Sequence, residues 1–145
     1  MQGVSPAWLR GCTSQMLADT NFLIDLMSND EAALRKAREL ESSGVGLVVG
    51  APSIFELYVG VSLAKRSAEE RLKIISTIST LPTLPLDSEA AKVGGVIYGE
   101  KFKSGMKIDS EDAMLAGIAK TKNNPVLTRN IKHFSGIDGV RVETY

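Results

Sequence analysis

Met16-Leu17-Ala18-Asp19-Thr20-Asn21-Phe22-Leu23-Ile24-Asp25-Leu26-Met27 decides how this chain is read. A short apolar run ends in an aspartate, after which Phe22, Leu23, Leu26 and Met27 recur at helical spacing, so a strand passes almost directly into an amphipathic helix. The same alternation continues outward. Ser28 and Glu31 have the spacing of a capping box and predict a helix to about Glu41, ended by Ser42-Ser43-Gly44. Gly46 to Val49 is a short valine-rich run that suits a strand buried on both faces, broken by Gly50-Ala51-Pro52.

Capping-box spacing recurs at Ser53/Glu56 and at Ser67/Glu70, predicting helices near 53–64 and 67–80. Thr83 to Leu86 is the third strand candidate. Asp87 caps a helix to about Ser104, and Asp109 caps another to about Thr121, with Met114, Leu115 and Ile118 on one face and Asn123-Asn124-Pro125 at its end. Val126 to Thr128 and Val140 to Glu143 complete the strands. Apolar strands alternating with helices predict an α/β fold of three layers, a mainly parallel central sheet flanked by helices. Residues 1–15, a mixture of Gly, Ser, Pro and Gln without periodicity, read as a flexible extension or as sequence from an upstream start, ahead of a domain over 16–145.

At 145 residues the chain has the length of one domain with one substantial core. Its 43% hydrophobic and 23% charged residues argue against disorder, and the apolar runs are too short to span a bilayer, which points to the cytoplasm. Cys12 alone cannot form an internal disulfide, and with His133 as the single histidine there is no material for a Cys/His zinc cage. A metal here must be held mainly by oxygen, which favours Mg2+ or Mn2+. Seventeen basic and 17 acidic residues balance, so net charge gives no reason to expect nucleic acid. Bases do outnumber acids between Lys101 and Lys132, and a solvated helix face is the default reading of that run, with a phosphate-facing surface the minority one.

In a parallel sheet a crossover helix runs antiparallel to its strands, so helix N-termini gather at the carboxyl edge, where ligands bind at the topological switch point. Asp19 ends the first strand, Glu56 falls in the first turn after the second, and Asp112 opens the helix that leads into Val126 to Thr128. All three should face one crevice, with Asn130 at the same edge. Carboxylates converging in a partly dry crevice repel one another and persist together mainly when a cation compensates them. From the residues alone a second reading stays open. Asp19, Glu56 and Asp112 each occupy positions where a carboxylate can serve only the backbone N–H groups of a turn or helix start.

Four pieces in order resemble a PIN-domain ribonuclease, specifically the VapC toxin of a VapBC toxin–antitoxin system. They are Leu17-Ala18-Asp19-Thr20-Asn21-Phe22-Leu23-Ile24-Asp25, Ser53-Ile54-Phe55-Glu56-Leu57-Tyr58-Val59-Gly60, Asp112-Ala113-Met114-Leu115-Ala116-Gly117-Ile118-Ala119 and Thr128-Arg129-Asn130-Ile131-Lys132-His133-Phe134. The resemblance implies a metal-dependent endoribonuclease with Asp19, Glu56 and Asp112 as the acidic metal site for Mg2+ or Mn2+. It also implies RNA as substrate, a small cognate antitoxin and a homodimer as partners, with Tyr58 and nearby helices in such contacts. Asn130 occupies a fourth, more variable polar position, and being neutral it leaves fewer charges for a second ion. Asn21, Thr128 and Asp109 are candidates for orienting the acids or the substrate, and Arg129 and Lys132 for contacting RNA phosphate. His133 matches a position often acidic or histidine in relatives, although a lone histidine near a strand end defaults to the surface.

Two other readings share parts of this pattern. Asp19-Thr20-Asn21 resembles the start of a haloacid-dehalogenase-like phosphatase, but Asn21 stands where the second carboxylate of that motif belongs. A non-catalytic binding module is also compatible with an α/β fold and an acidic crevice.

Overall fold

In the computed structural model, which describes residues 15–63 and 67–145, strands and helices alternate along the chain. β1 (Gln15–Ala18) passes through Asp19 into α1 (Thr20–Met27), and α2 (Glu31–Ser42) leads to β2 (Gly46–Gly50). Then come α3 (Ala51–Leu63), α4 (Ala68–Ser79), β3 (Thr83–Leu84) and α5 (Ser88–Lys103). The chain ends with α6 (Ser110–Lys122), β4 (Val126–Leu127), α7 (Ile131–Phe134) and β5 (Val142–Glu143). The extension expected over 1–15 lies outside the described residues, as does Cys12, except that Gln15 opens β1.

The five strands form one sheet in the order β3-β2-β1-β4-β5, and every pairing is parallel rather than mainly so. β1 is central. From it the chain builds β2 and β3 on one side, then crosses to build β4 and β5 on the other, which puts the switch point between β1 and β4. Alternation along the strands sorts the core into two layers. Leu17, Val48 and Val126 pack with Ala90, Leu115 and Ile118 of α5 and α6, whereas Met16, Ala18, Val49 and Leu127 pack with Phe22, Leu23, Leu40 and Ile74. No helix among the described residues is long and apolar enough to cross a membrane.

The local signals hold unevenly. Ser67 and Glu70 form both halves of a capping box, and Asp87 accepts from the Ala90 N–H as expected. Ser28 does not open a helix: it caps the C-terminus of α1, Asn29 turns the chain with φ 61°, and Asp30 caps α2 by accepting from the Ala33 N–H. Nor is Ser53 a cap. β2 runs straight into α3, with Pro52 in the first turn where a missing N–H costs little, so Ser53 is a buried helical residue and Glu56 lies in the second turn rather than the first.

One close approach positions the site. A Cβ on Gly117 of α6 would lie 2.3 Å from the Ala90 carbonyl oxygen, and one on Gly94 of α5 would lie 2.8 Å from that of Ala113. These glycines let α5 and α6 pack backbone to backbone, and that contact sets where the N-terminus of α6, with Glu111 and Asp112, stands against the sheet.

Candidate active site

Asp19 follows the last residue of β1, and its backbone N–H donates to the Leu127 carbonyl at 3.1 Å, so the ends of β1 and β4 are stitched together at the switch point. Its carboxylate is only 3% exposed. Oδ1 accepts from the Phe22 N–H at 2.8 Å and caps α1, while Oδ2 accepts from the Thr128 hydroxyl at 2.5 Å. Thr128, fully buried, also accepts from the Asn130 N–H at 2.8 Å and so fixes the turn that carries Asn130. The capping and site readings of Asp19 are therefore compatible. Each carboxylate oxygen has a further lone pair beyond these bonds.

Beside Asp19 opens a cavity of about 370 Å³ lined by Thr20, Asn21, Glu56, Asp109, Ser110, Glu111, Asp112 and Asn130 as well. The three acids expected to meet do line one crevice, and Glu111, which neither a cap nor a motif singled out, joins them. Adjacent residues on a helix point about 100° apart, so the sequence gives no way to know that Glu111 and Asp112 would both border the same space. A hydrogen-bonded relay holds Glu111. Thr20 Oγ1 lies 3.0 Å from Glu111 Oε2 and 2.9 Å from Ser53 Oγ, and because the carboxyl oxygen accepts, Ser53 donates to Thr20 and Thr20 to Glu111. Glu111 in turn hydrogen-bonds Glu56.

The charges show what this arrangement lacks. Burial pushes Glu111 up to about 8, helped by its bond to Glu56 and by the charges of Glu56 and Asp112. Asp112 is raised chiefly by burial, against the lowering effect of His133 and with further upward pressure from Asp109 and Glu56. Asp19 is raised by burial too, which outweighs its bonds to Thr128 and Phe22. Protons are favoured on these carboxyls chiefly because they are buried, and among the described residues no lysine or arginine lines the cavity to offset that. A hard divalent cation is the ligand that this donor set fits, since several oxygen donors of negative charge face one polar space.

Two residues depart from expectation on the far side of Asp112. Asp109 occupies the N-cap position of α6 but makes no side-chain capping bond, so the cap predicted for it does not form. His133, expected at the surface, sits half-buried on α7 with Nδ1 hydrogen-bonded to Asp112 Oδ2, and the Asn130 amide lies 2.8 Å from the same nitrogen. One donor atom from each of Asp109, Asp112 and His133 lies within 4.8 Å of the others.

Arg129 points elsewhere. Its guanidinium pairs with Asp25 at 3.3 Å and Asp30 at 2.8 Å and stacks over the Tyr145 ring with 4.5 Å to the centroid, so its charge is committed within the fold. Lys132 is exposed on α7, one residue from His133. Tyr58 is exposed on α3 with Phe55 and Val59, while Leu57 is buried.

A family model described as PIN domain matches residues 16–140. Ribonuclease VapC1 of Methanocaldococcus jannaschii is 31% identical over 132 residues, covering 91% of this chain and 88% of that protein. The tRNA(fMet)-specific endonuclease VapC of Salmonella typhimurium is 27% identical over 131 residues, 90% of this chain and 98% of its own length. Among solved structures, DNA-bound VapBC from Salmonella typhimurium superposes with a TM-score of 0.78 at 27% identity, over 90% of this chain and 98% of that one. VapBC2 from Rickettsia felis, bound to a promoter DNA fragment, gives 0.80 at 20% identity, over 90% of this chain and 98% of that one, a likeness of fold.

Proposed function

The chain belongs to the PIN-domain family, and from that premise we propose that it is an endoribonuclease that hydrolyses RNA phosphodiester bonds with a divalent cation, as the toxin of a cytoplasmic toxin–antitoxin pair. The observation that carries this reading is the convergence of Asp19, Glu56, Glu111 and Asp112 on one polar cavity at the switch point of the sheet. Asp19, Glu56 and Asp112 would hold Mg2+ or Mn2+. Such an ion supplies Lewis-acid stabilisation of charge on a phosphoryl oxygen and makes water easier to deprotonate.

The chain's own groups hold those donors in place. Thr128 fixes the Asp19 carboxylate from the β4 side, and the Ser53–Thr20–Glu111 relay fixes the opposite wall next to Glu56. Asn21 and Asn130 line the cavity as neutral amides, able to donate to phosphate oxygens without adding to the repulsion between carboxylates. Lys132 stands near enough in sequence to His133 and Asn130 to meet the RNA backbone outside it. The attacking group is water, not a side chain.

The antitoxin reading draws on the VapBC complexes among the structural neighbours and on a groove that continues from the acidic cavity. Thr20 and Glu56 border both spaces, and Ile24, Met27, Leu57 and Ile74 make the groove apolar. A partner segment lying there would cover the mouth of the acidic cavity, which is how a binding protein silences an enzyme. The homodimer would use other exposed apolar side chains, and sedimentation of the purified chain reads it directly. Membership of the PIN family leaves the phosphatase reading without a supporting observation, while a non-catalytic PIN-like binding module would hold its partner and leave RNA uncut whatever the cation.

The test is cleavage of single-stranded RNA by the purified chain with Mg2+ or Mn2+, with and without chelator, beside Asp19→Asn. Cleavage should need the cation and fall at least about 100-fold in the variant, since even partners behind a metal ligand are worth roughly 10- to 100-fold. Equal, chelator-resistant cleavage by both proteins would overturn it.

A further inference from the structure

Resting on the reading of the acidic cavity as an RNA-cleaving centre, we propose that Tyr98 and Phe102 on α5, with Lys107 beyond it, form a subsite that stacks an unpaired base of the RNA beside the bond being cut. A second cavity of about 370 Å³ adjoins the acidic one. Asp109 and Ser110 stand in the walls of both, so the two spaces meet across the start of α6. Their linings differ in kind. Carboxylates and small polar groups line the first, whereas Tyr98, Phe102, Met106, Lys107 and Ile108 line the second.

Tyr98 and Phe102 are four residues apart on α5 and therefore share one face of it. That face is turned outward. Tyr98 is 42% and Phe102 65% exposed, while Ala90, Gly94 and Ile97 supply the buried side of the helix. Beyond Lys103 the chain turns at Gly105 with φ 79°, and the Gly105 and Met106 N–H groups donate to the Phe102 and Lys101 carbonyls. Residues 106–110 then pass beside the two rings on the way into α6, with buried Ile108 beneath and Lys107 exposed. Neither the Tyr98 hydroxyl nor the Lys107 ammonium is held by a hydrogen bond or ion pair among the described residues.

Charge selects the occupant. A phosphodiester chain is repelled by the carboxylates of the acidic cavity, and among the described residues no lysine or arginine lines that cavity to hold it. Lys107 is the cation in the adjoining wall, placed to meet a phosphate next to the one at the acids. Exposed aromatic rings take any base by its π-face, without reading its edge. A base within a duplex has its faces covered by its neighbours, so the base that fits here is unpaired. An aliphatic protein segment would cover the rings and leave Lys107 without a counter-charge.

Photo-crosslinking reads the contact directly. A short single-stranded RNA carrying iodouridine, irradiated in complex with the full chain before any cation is added, should form an adduct on Tyr98 or Phe102, located by peptide mass spectrometry. In cleavage assays Tyr98→Ala and Phe102→Ala should each raise KM for RNA by about tenfold with kcat within about twofold and the native circular dichroism kept. Tyr98→Phe should stay within about twofold of native in KM, because the ring and not the hydroxyl makes the contact. Lys107→Ala should weaken RNA binding and lower its salt dependence by about one charge. RNA with an abasic residue beside the cut should not distinguish Phe102→Ala from the native chain. Adducts confined to other residues, or KM unmoved in both alanine variants, would overturn the proposal. So would a Phe102→Ala chain that cleaves as native but sediments as a smaller species or no longer retains a co-expressed antitoxin, since the face would then belong to a second copy or to a protein partner. Cation-dependent cleavage with KM unmoved sinks this inference alone, and adducts on the two rings of a chain that cuts no RNA sink the nuclease reading alone.

Discussion

Asp25 on α1 and Asp30 at the head of α2 meet Arg129 and Tyr145, whereas Asp19, Glu56, Glu111 and Asp112 at the carboxyl edge of the sheet line one cavity in whose wall the described residues include no lysine or arginine. In the first region Arg129 bridges both aspartates, Tyr145 donates to Asp25 at 2.6 Å, and the Tyr145 ring lies edge-on to Phe22 with 4.8 Å between centroids. Asp30 is held below the ordinary carboxylate range by the Ala33 N–H and by Arg129. In the second region Asp19, Glu111 and Asp112 are all pushed up. The same residue type does opposite work in the two places. One region is completed by the chain's own cation and closes the C-terminal tail onto α1; the other has no lysine or arginine among its described lining residues, and there the proposed metal would act.

The contrast breaks most sharply at Asp112. Asp112→Asn should lower RNA cleavage by at least about 100-fold while leaving the melting temperature at pH 8 equal or higher, because a repelled charge is removed and the His133 bond is kept. A melting temperature several degrees lower would mean that Asp112 holds the fold rather than the ion. Next in size is the effect of the ion itself. Mn2+ at about 100 times its dissociation constant should stabilise the native chain by about 2.7 kcal/mol in denaturant titration and do so less at pH 5 than at pH 8, where protons compete less for the carboxylates.

Arg129→Ala attacks the completed region. The exposed ion pairs and the contact with Tyr145 are together worth about 1–2 kcal/mol of stability, while KM for RNA should stay within about twofold, as expected if the guanidinium serves the fold. A large rise in KM would return Arg129 to the substrate.

The smallest effect is in the pH profile. A carboxyl whose pKa is raised on folding contributes stability that is present below its unfolded value and lost as pH rises through the folded one. For Glu111 that window runs from 4.5 to about 8, so without cation the melting temperature should fall across it, and Glu111→Gln should flatten the fall. An unchanged slope in the variant would assign the pH dependence to Asp19 and Asp112.

How much of this was legible in the sequence follows from the range of each interaction. Ser67/Glu70 and Asp87 behave as their spacing predicts because a cap involves only neighbours along the chain. Ser28/Glu31 and Ser53/Glu56 have the same spacing and do not form caps, because the fold decides where each helix begins: β2 is carried to Gly50 by the sheet, and buried Ser53 is recruited by Thr20 from α1. The site divides in the same way. Strand ends and helix starts placed Asp19, Glu56, Asp112 and Asn130 at one edge, whereas Glu111 joined that cavity through Thr20, 91 residues away, and His133 meets Asp112 from 21 residues away.

Periodicity, strand termini and four ordered motifs thus predicted the layered α/β fold, the carboxyl-edge crevice and three of the acids that line it, since strand ends and helix starts are read from residues a few positions apart. Which further groups face that crevice, which cation answers Asp25 and Asp30, and that the acidic cavity is short of positive charge were decided only by the tertiary structure. The physical reason is that burial and long-range proximity, which set both hydrogen-bond partners and the cost of a charge, do not exist until the sheet has brought β1 and β4 side by side.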